Sequence, residues 1–262
     1  MPELPDLEVF KGNIFKRITS KRLVDVAVFN HQKCTTPQDY LNGELKGREL
    51  VGINRFGKEL LFDFGENRII ATHLMLSGRI AFVENLPSAH TINHKIFAFN
   101  FENETIVFSD IGGLCTVKYN PRSDGVPDAF GQNFTLEYFR NIAEAKARVN
   151  VKAFLIDQKV VKGIGNAYAD EILWRAKISP HSVVGKIPAG EFEGMYRAIG
   201  LVLKEAVAAI RAFSPDIISG EERRFLQVHT KTKKQTDGGF PIRIERIASK
   251  TTYYTAEQVE YK

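Results

Sequence analysis

The hydrophobic pattern of this 262-residue chain changes period near residue 122, and that change calls for two cores of different kinds. Before it lie short β-like runs: RLVDVAVF, ELVGINRFGKELLFDF, NRIIATHLML, GRIAFVE, HKIFAFNF, ETIVFSD and CTVKYN. Phe97, Phe99 and Phe101 alternate with a second face, and Glu102-Asn103-Glu104 reads as a hairpin turn. Such runs predict an antiparallel β-sandwich. Ahead of them Leu7, Phe10, Ile14 and Ile18 recur at helical spacing after Pro5-Asp6, which predicts an amphipathic helix over residues 5–19 that pins the chain's start to a core. The Pro, Gly and Asp-rich passage PRSDGVPDAFGQ then reads as a linker. Beyond it LEYFRNIAEA, VKAFLIDQ, NAYADEILWRA and EFEGMYRAIGLVLKEAVAAIRAF carry apolar residues at three and four spacing. The tail from Arg224 holds a basic VHTKTKKQ, a Gly238-Gly239 turn and two β-like runs, FPIRIERI and TTYYT. The predicted class is α+β, with a sandwich domain and its N-terminal helix over 1–121, a linker over 122–135, a helical domain over 136–226 and a hairpin tail over 227–262.

Composition limits the function classes. A hydrophobic share of 44% with 26% charged residues suits a globular chain of two moderate domains, and the formal charge of +5 favours a polyanionic partner. No apolar run reaches membrane-spanning length, and the first twenty residues mix Asp, Glu, Lys and Arg, so an intracellular, cytoplasmic protein with no membrane partner is expected. Two cysteines, Cys34 and Cys115, supply neither a disulfide framework nor a four-cysteine metal site and read as small buried side chains. No cofactor is expected.

The chain opens MPELPDLE. Removal of Met1 would leave a free proline amine beside the carboxyl group of Glu3. An α-amino group, with a reference pKa near about 7.7–8.0 against about 10.4 for lysine, holds roughly a hundredfold more free base at neutral pH. A prolyl nitrogen is somewhat more basic, so its gain is chemical: condensed with an aldehyde, it gives an iminium with no N–H to lose, a permanent electron sink. Glu3 is then placed to shuttle protons. Taken alone, Met-Pro is also a common start that leads into a helix.

Further motifs follow in order: FGKELLF around Lys58, HLMLSG from His73 to Gly78, and GIGNAYADEILWRAKISP from Gly163 to Pro180. Together with MPELPDLE they closely resemble the formamidopyrimidine-DNA glycosylase and endonuclease VIII family, over nearly the whole chain. The resemblance implies a DNA repair glycosylase with AP lyase activity, in which Pro2 attacks the sugar C1′ of a damaged nucleotide, Glu3 and Lys58 assist, and β- or β,δ-elimination cuts the strand. It makes GIGNAYADEILWRAKISP a helix-two-turn-helix and damaged double-stranded DNA the partner, with the protein nucleoid-associated when bound; a monomer is the default expectation. Gly163 and Gly165 permit a tight turn, Asn166 stands where a helix begins, and Lys162 adds charge, so this segment can hold a phosphate; a helix hairpin with Asn166 as an ordinary N-cap is the plain alternative. Lys58 and His73 are implied phosphate or sugar contacts, although each reads equally as a strand lysine and a sheet histidine. An extruded base leaves a gap that an apolar wedge can fill. Leu76 matches the family's void-filling methionine and Met75 stands beside it; either can insert, and either can be core.

The chain departs from the family pattern at three places. The motif DPRRFG, whose arginine reads the estranged cytosine, is here Asp110-Ile111-Gly112-Gly113-Leu114-Cys115, with glycine for both arginines. That puts selection for opposite cytosine in doubt and shifts the filling task toward Met75 and Leu76. SPDIISGEERRFLQVH is several residues shorter than the family loop that caps 8-oxoguanine, which leaves preference for that base open. The four zinc-ligand positions fall on Gln235, Gly238, Thr255 and Gln258, none of which can form a zinc–thiolate bond. A zincless finger is therefore expected, held by packing of Phe240, Ile242, Ile244, Tyr253 and Tyr254. Lys250 takes the place of the finger's phosphate-binding arginine, keeping charge but losing the bidentate fork. A structural zinc contributes about 10–16 kcal/mol of folding free energy, so chelator treatment is a sharp test. We expect EDTA to leave the melting temperature unchanged, and stoichiometric zinc in the purified protein would refute the reading.

Overall fold

The computed structural model describes residues 1–262, which divide into two compact units. The first comprises Met1–Pro2, Asp6–Ser123 and Ser214–Glu221; the second comprises Glu3–Pro5, Asp124–Phe213 and Glu222–Lys262.

The chain begins in helix α1 (Leu4–Ile18), whose Leu7, Phe10, Ile14 and Ile18 are all at most 1% exposed. The first unit's strands are β1 (Leu23–Val28), β2 (Gly52–Phe56), β3 (Glu59–Asp63), β4 (Ile69–His73), β5 (Gly78–Val83), β6 (Lys95–Phe101), β7 (Glu104–Asp110) and β8 (Thr116–Tyr119). They form two antiparallel sheets, ordered β1-β6-β7-β5 and β2-β3-β4-β8. Phe62 of the second sheet meets Phe99 and Phe108 of the first at ring distances of 4.9 and 5.7 Å, so the core lies between the sheets. Aromatic pairs at such spacing add about 0.5–1.5 kcal/mol beyond area burial.

One sequence expectation changes here, and two features carried none. The run from Glu49 to Phe64 is a hairpin, β2 and β3, because Gly57 takes φ +60° and turns the chain at Gly57-Lys58. A helix without a strong sequence signal, α2 (Gln38–Leu45), follows β1; only Leu41 and Leu45 are buried. Its Asn42 and Gln38 carboxamide oxygens accept from Val26 N and Val28 N at 2.7 and 2.8 Å, satisfying an edge strand. Both faces of β6 are buried, since Ala98 packs with Ala27, Ala89 and Val107 in a small second cluster.

The second unit is built on α3 (Leu136–Ala145), α4 (Val151–Ile156), α5 (Asn166–Arg175) and α6 (Ala189–Phe213). Phe192, Met195, Ile199, Val202, Leu203 and Ala206 recur along α6 and enter one core with Phe139, Phe154 and Tyr168. The expected linker over 122–135 is not loose: Ala129 and Phe134 belong to that core. Nor does the chain break at 226. Gln227 N, Val228 N and His229 N all donate to the buried carboxylate of Glu171 on α5, at 2.8 to 3.0 Å.

The tail ends in the hairpin of β9 (Arg243–Ile247) and β10 (Lys250–Tyr254), joined at Ala248-Ser249, both of positive φ. Tyr253 and Tyr254 are buried as expected, but Phe240 is 42% and Ile244 58% exposed and Ile242 half-buried. Polar contacts carry more of the load than that expectation allowed. Lys152 of α4, wholly buried, donates to Asp170 of α5 at 2.7 Å, to the Thr252 hydroxyl at 2.7 Å and to Thr251 O at 3.2 Å. Asp170 also accepts from Tyr253 N and contacts His229 Nδ1. At the former zinc positions, Gln258 accepts from Thr255 N at 2.8 Å and donates to Ile178 O at 2.9 Å, and Gln235 bridges to Pro241. Gln235, Gly238, Thr255 and Gln258 do not fit a zinc ion.

Removing one partner of a buried ion pair strands the other charge, at about 3–5 kcal/mol. We expect Asp170→Ala to lose stability on that scale in urea denaturation, and Asp170→Leu combined with Lys152→Met to recover much of it. A neutral Asp170→Ala would show that the pair does not hold the tail.

Candidate active site and nucleic-acid interface

Pro2 is buried in the first unit and lines a cavity of about 500 Å³ with Leu76, Gly78, Arg79, Ile217, Ser219, Gly220 and Glu221. The cavity's far wall is the segment Ser214–Glu221, which packs with the sandwich although its neighbours in sequence belong to the helices. Asn13 on α1 donates to Pro215 O and Ile217 O, both at 2.8 Å, and Ile80 N of β5 donates to Ser219 Oγ at 3.0 Å. The ammonium of Met1 pairs with Glu221.

Beside the cavity, the loop 73–78 is tightly constrained. Gly78 N donates to Leu74 O at 2.8 Å, and a Cβ on Gly78 would meet that oxygen at 2.2 Å. Met75 adopts φ +53°, held by its N–H donating to His73 Nδ1 at 3.0 Å. Leu76 is thereby left 66% exposed while Met75 is half-buried. In the neighbouring loop, Asp110 accepts from Gly112 N, Leu114 N, Cys115 N and Ser77 Oγ. These bonds lower its pKa against the burial that raises it. The same loop leaves Ile111 76% and Leu114 39% exposed.

Lys58, buried at the β2–β3 turn, is positioned by Arg55, which donates to Gly57 O at 3.1 Å and pairs with Glu8 of α1 at 2.9 Å. Glu59, next to Lys58, pairs with His73 across β3 and β4. Burial first, then the charges of Lys58 and Lys118, push the His73 pKa down to about 4. A neutral imidazole whose Nδ1 accepts a hydrogen bond carries its proton on Nε2, ready to donate.

In the second unit, Glu3 is 3% exposed and its carboxylate accepts from Gly165 N at 2.8 Å, Ala167 N at 3.0 Å and Tyr168 N at 3.4 Å. This revises the expected phosphate clamp. Gly165, not Asn166, is the N-cap of α5, and the amides expected to hold a phosphate hold Glu3. Lys162 is half-buried and pairs with Asp124. Asn166 instead turns to the hairpin, donating to Thr251 O at 2.9 Å, which brings it next to Lys250 in the chain's tail. Lys250 is exposed at the start of β10. Asp170 and Glu171 are structural, as their spacing suggested; Trp174 is half-buried and donates to Glu257 at 3.0 Å.

Thus Pro2 and Leu76 share one cavity, Lys58 and His73 adjoin across a sheet, and Glu3, Gly165, Asn166 and the Lys250 hairpin meet around the start of α5. Arg79 went unnoticed in the sequence, and the segment 214–221, read there only as part of a shortened capping loop, is shown by the fold to line the cavity of Pro2.

Residues 1–117 match the formamidopyrimidine-DNA glycosylase N-terminal domain, and residues 126–214 match the H2TH domain of the same enzymes. A formamidopyrimidine-DNA glycosylase of a Wolbachia strain from Drosophila simulans is 30% identical over 216 residues, covering 80% of this chain and 79% of that protein. The chain belongs to the formamidopyrimidine-DNA glycosylase family. A further family relative, from Lactococcus lactis subsp. lactis, is 28% identical over 97% of both chains. Among solved structures, the Lactococcus lactis Fpg in complex with abasic-site DNA superposes with a TM-score of 0.86 at 25% identity, covering 99% of this chain and 100% of that one. The same enzyme bound to DNA containing an oxidised pyrimidine gives 0.85 at 25% identity. The family relationship accounts for the joint presence of the sandwich and the helix-two-turn-helix.

His73 sets a pH dependence. Its folded pKa lies below the ordinary value of 6.5, so its contribution to stability is complete above about pH 6.5 and is lost as pH falls toward about 4, by about 1.4 kcal/mol per unit. We expect His73→Asn, which keeps an acceptor for Met75 N, to flatten the slope of stability against pH across that window; an unchanged slope would exclude His73 as its source.

Proposed function

We propose that this family member is a bifunctional DNA repair glycosylase in which the nitrogen of Pro2, freed by removal of Met1, attacks C1′ of a damaged nucleotide. The observation that carries the reading is the cavity: Pro2 lies buried on the wall of a 500 Å³ space large enough for a flipped base. As the nitrogen lone pair forms the C1′ bond, the bond from C1′ to the base breaks and the base leaves with a proton. Opening of the sugar ring gives the iminium. Loss of a C2′ proton then expels the 3′ phosphate, cutting the strand by β-elimination; a second loss of phosphate would give β,δ-elimination.

Glu3, adjacent to the nucleophile in the chain, carries protons from a carboxylate that three backbone N–H groups hold in place. Lys58 positions the target sugar and phosphate. His73 Nε2, Asn166, Lys162 and Lys250 contact the DNA backbone, which positions rather than specifies. The exposure of Leu76 supports it over Met75 as the residue that fills the vacated stack. The substrate is damaged duplex DNA, as in the solved complexes of the Lactococcus enzyme with abasic and oxidised-pyrimidine DNA. No helix is long and apolar enough to cross a membrane, and a monomer working on the nucleoid in the cytoplasm is the setting proposed.

Borohydride reduces an iminium to a stable amine. Purified protein, with loss of Met1 verified by intact mass, should form a covalent adduct with a duplex carrying one abasic site, and Pro2→Gly should lose most of it. A wild-type protein with a free Pro2 and no adduct would leave a DNA-damage-binding protein without catalysis.

A further inference from the structure

Glu221 stands where the chain's amine enters the Pro2 cavity. It lines that space together with Pro2, and its carboxylate pairs with the ammonium of Met1. Removal of Met1 moves the free amine along the chain by one residue, at most about 3.6 Å of main chain. The new terminus, a prolyl ammonium, therefore arises within reach of the same carboxylate. The segment that carries Glu221 is itself fixed: Asn13 donates to Pro215 O and Ile217 O, Ser219 accepts from Ile80 N, and Gly220 turns the chain at φ +87° just before it. The other charged side chain lining the cavity is Arg79, which makes no ion pair with Glu221 and lies along the wall, where a Cβ on Gly220 would stand 2.9 Å from its Nη1. Glu3, next in the chain, has its carboxylate committed to Gly165 N, Ala167 N and Tyr168 N.

We infer that Glu221 is a positioning residue for the nucleophile: its carboxylate holds the Pro2 ammonium in the cavity and sets the pH at which that nitrogen becomes reactive. The inference rests on the Pro2 reading above. A prolyl ammonium has two N–H donors. Pairing one with Glu221 fixes the direction in which loss of the other uncovers the lone pair. That proton passes to solvent before the nitrogen can bond to C1′, and an anion in contact opposes its loss. The terminus is thereby kept oriented, and inert toward stray aldehydes, until a sugar carbon is presented to it. Arg79 acts in the opposite sense, in wild type and in a Glu221 variant alike, so its effect cancels from their comparison.

The test is the pH dependence of single-turnover cyanoborohydride trapping on the abasic duplex, with loss of Met1 verified by intact mass and protein saturating the DNA. Wild type and variants are compared at each pH, so that the reductant's own pH dependence cancels. Trapping should rise with pH as the amine deprotonates. Glu221→Gln, which keeps the shape and loses the charge, should move that rise to lower pH by about one unit, the low end for an ion pair because the carboxylate is 36% exposed. Below both midpoints the variant should then trap faster than wild type, by up to about tenfold. Glu221→Ala should show the same displacement with a lower plateau, since nothing then holds the nitrogen, and Glu221→Asp should bring the midpoint back toward wild type. An unchanged or raised midpoint in Glu221→Gln would overturn the inference, as would a loss of equal factor at every pH, the mark of a residue that only shapes the wall. In each of those cases wild-type trapping persists and the Pro2 mechanism stands. Absence of trapping by a wild type with free Pro2 removes both.

Discussion

Three backbone N–H groups at the start of α5 close on the carboxylate of Glu3, and the beginning of the chain is fixed by that contact. A helix N-terminus is a natural anion site, but here the anion is the protein's own and stands one residue from Pro2. Two glycines make the approach possible. A Cβ on Gly165 would fall 2.3 Å from the Glu3 carboxyl carbon, and one on Gly163, at φ +103°, would fall 2.6 Å from Leu4. The GxGN run therefore reflects how closely the chain's own start is packed there.

The same helix organises the tail. Its Asp170 receives Lys152, Tyr253 N and His229, and the neighbouring Glu171 receives three successive amides from residues 227–229. Buried carboxylates are costly unless satisfied, so burying two in succession commits the segment to one arrangement. Burial raises the pKa of Glu171 against those amides. Desolvation lowers that of Lys152, with Asp170 opposing it. A polar cluster of this kind can set the position of a hairpin where the related zinc-binding positions carry no thiolate.

Much of the fold was legible because its signals are local. Four apolar residues at helical spacing placed α1 within a residue or two, and the alternation around Phe99 gave β6. The helix α2 was obscure because only two residues face the core and Asn42-Gly43 reads as a turn, whereas its Asn42 works as a partner for β1. Lys58 stayed open between a sugar or phosphate contact and a strand lysine because nothing local marks Gly57 as left-handed. In the site, Pro2 and Glu3 stood out by chemistry, but the grip on Glu3 comes from amides more than 160 positions away. Lys152 sits in an amphipathic run where a lysine reads as solvated, and only the return of β10 buries it.

The two thiols add a consequence of another sort. Burial pushes the Cys115 thiol up to about 12, with Asp110 adding to it, and raises Cys34 as well. Oxidants attack thiolates that solvent can reach, and neither sulfur is ionised or accessible at neutral pH. With no further cysteine in the chain, peroxide finds no reactive thiol in this enzyme.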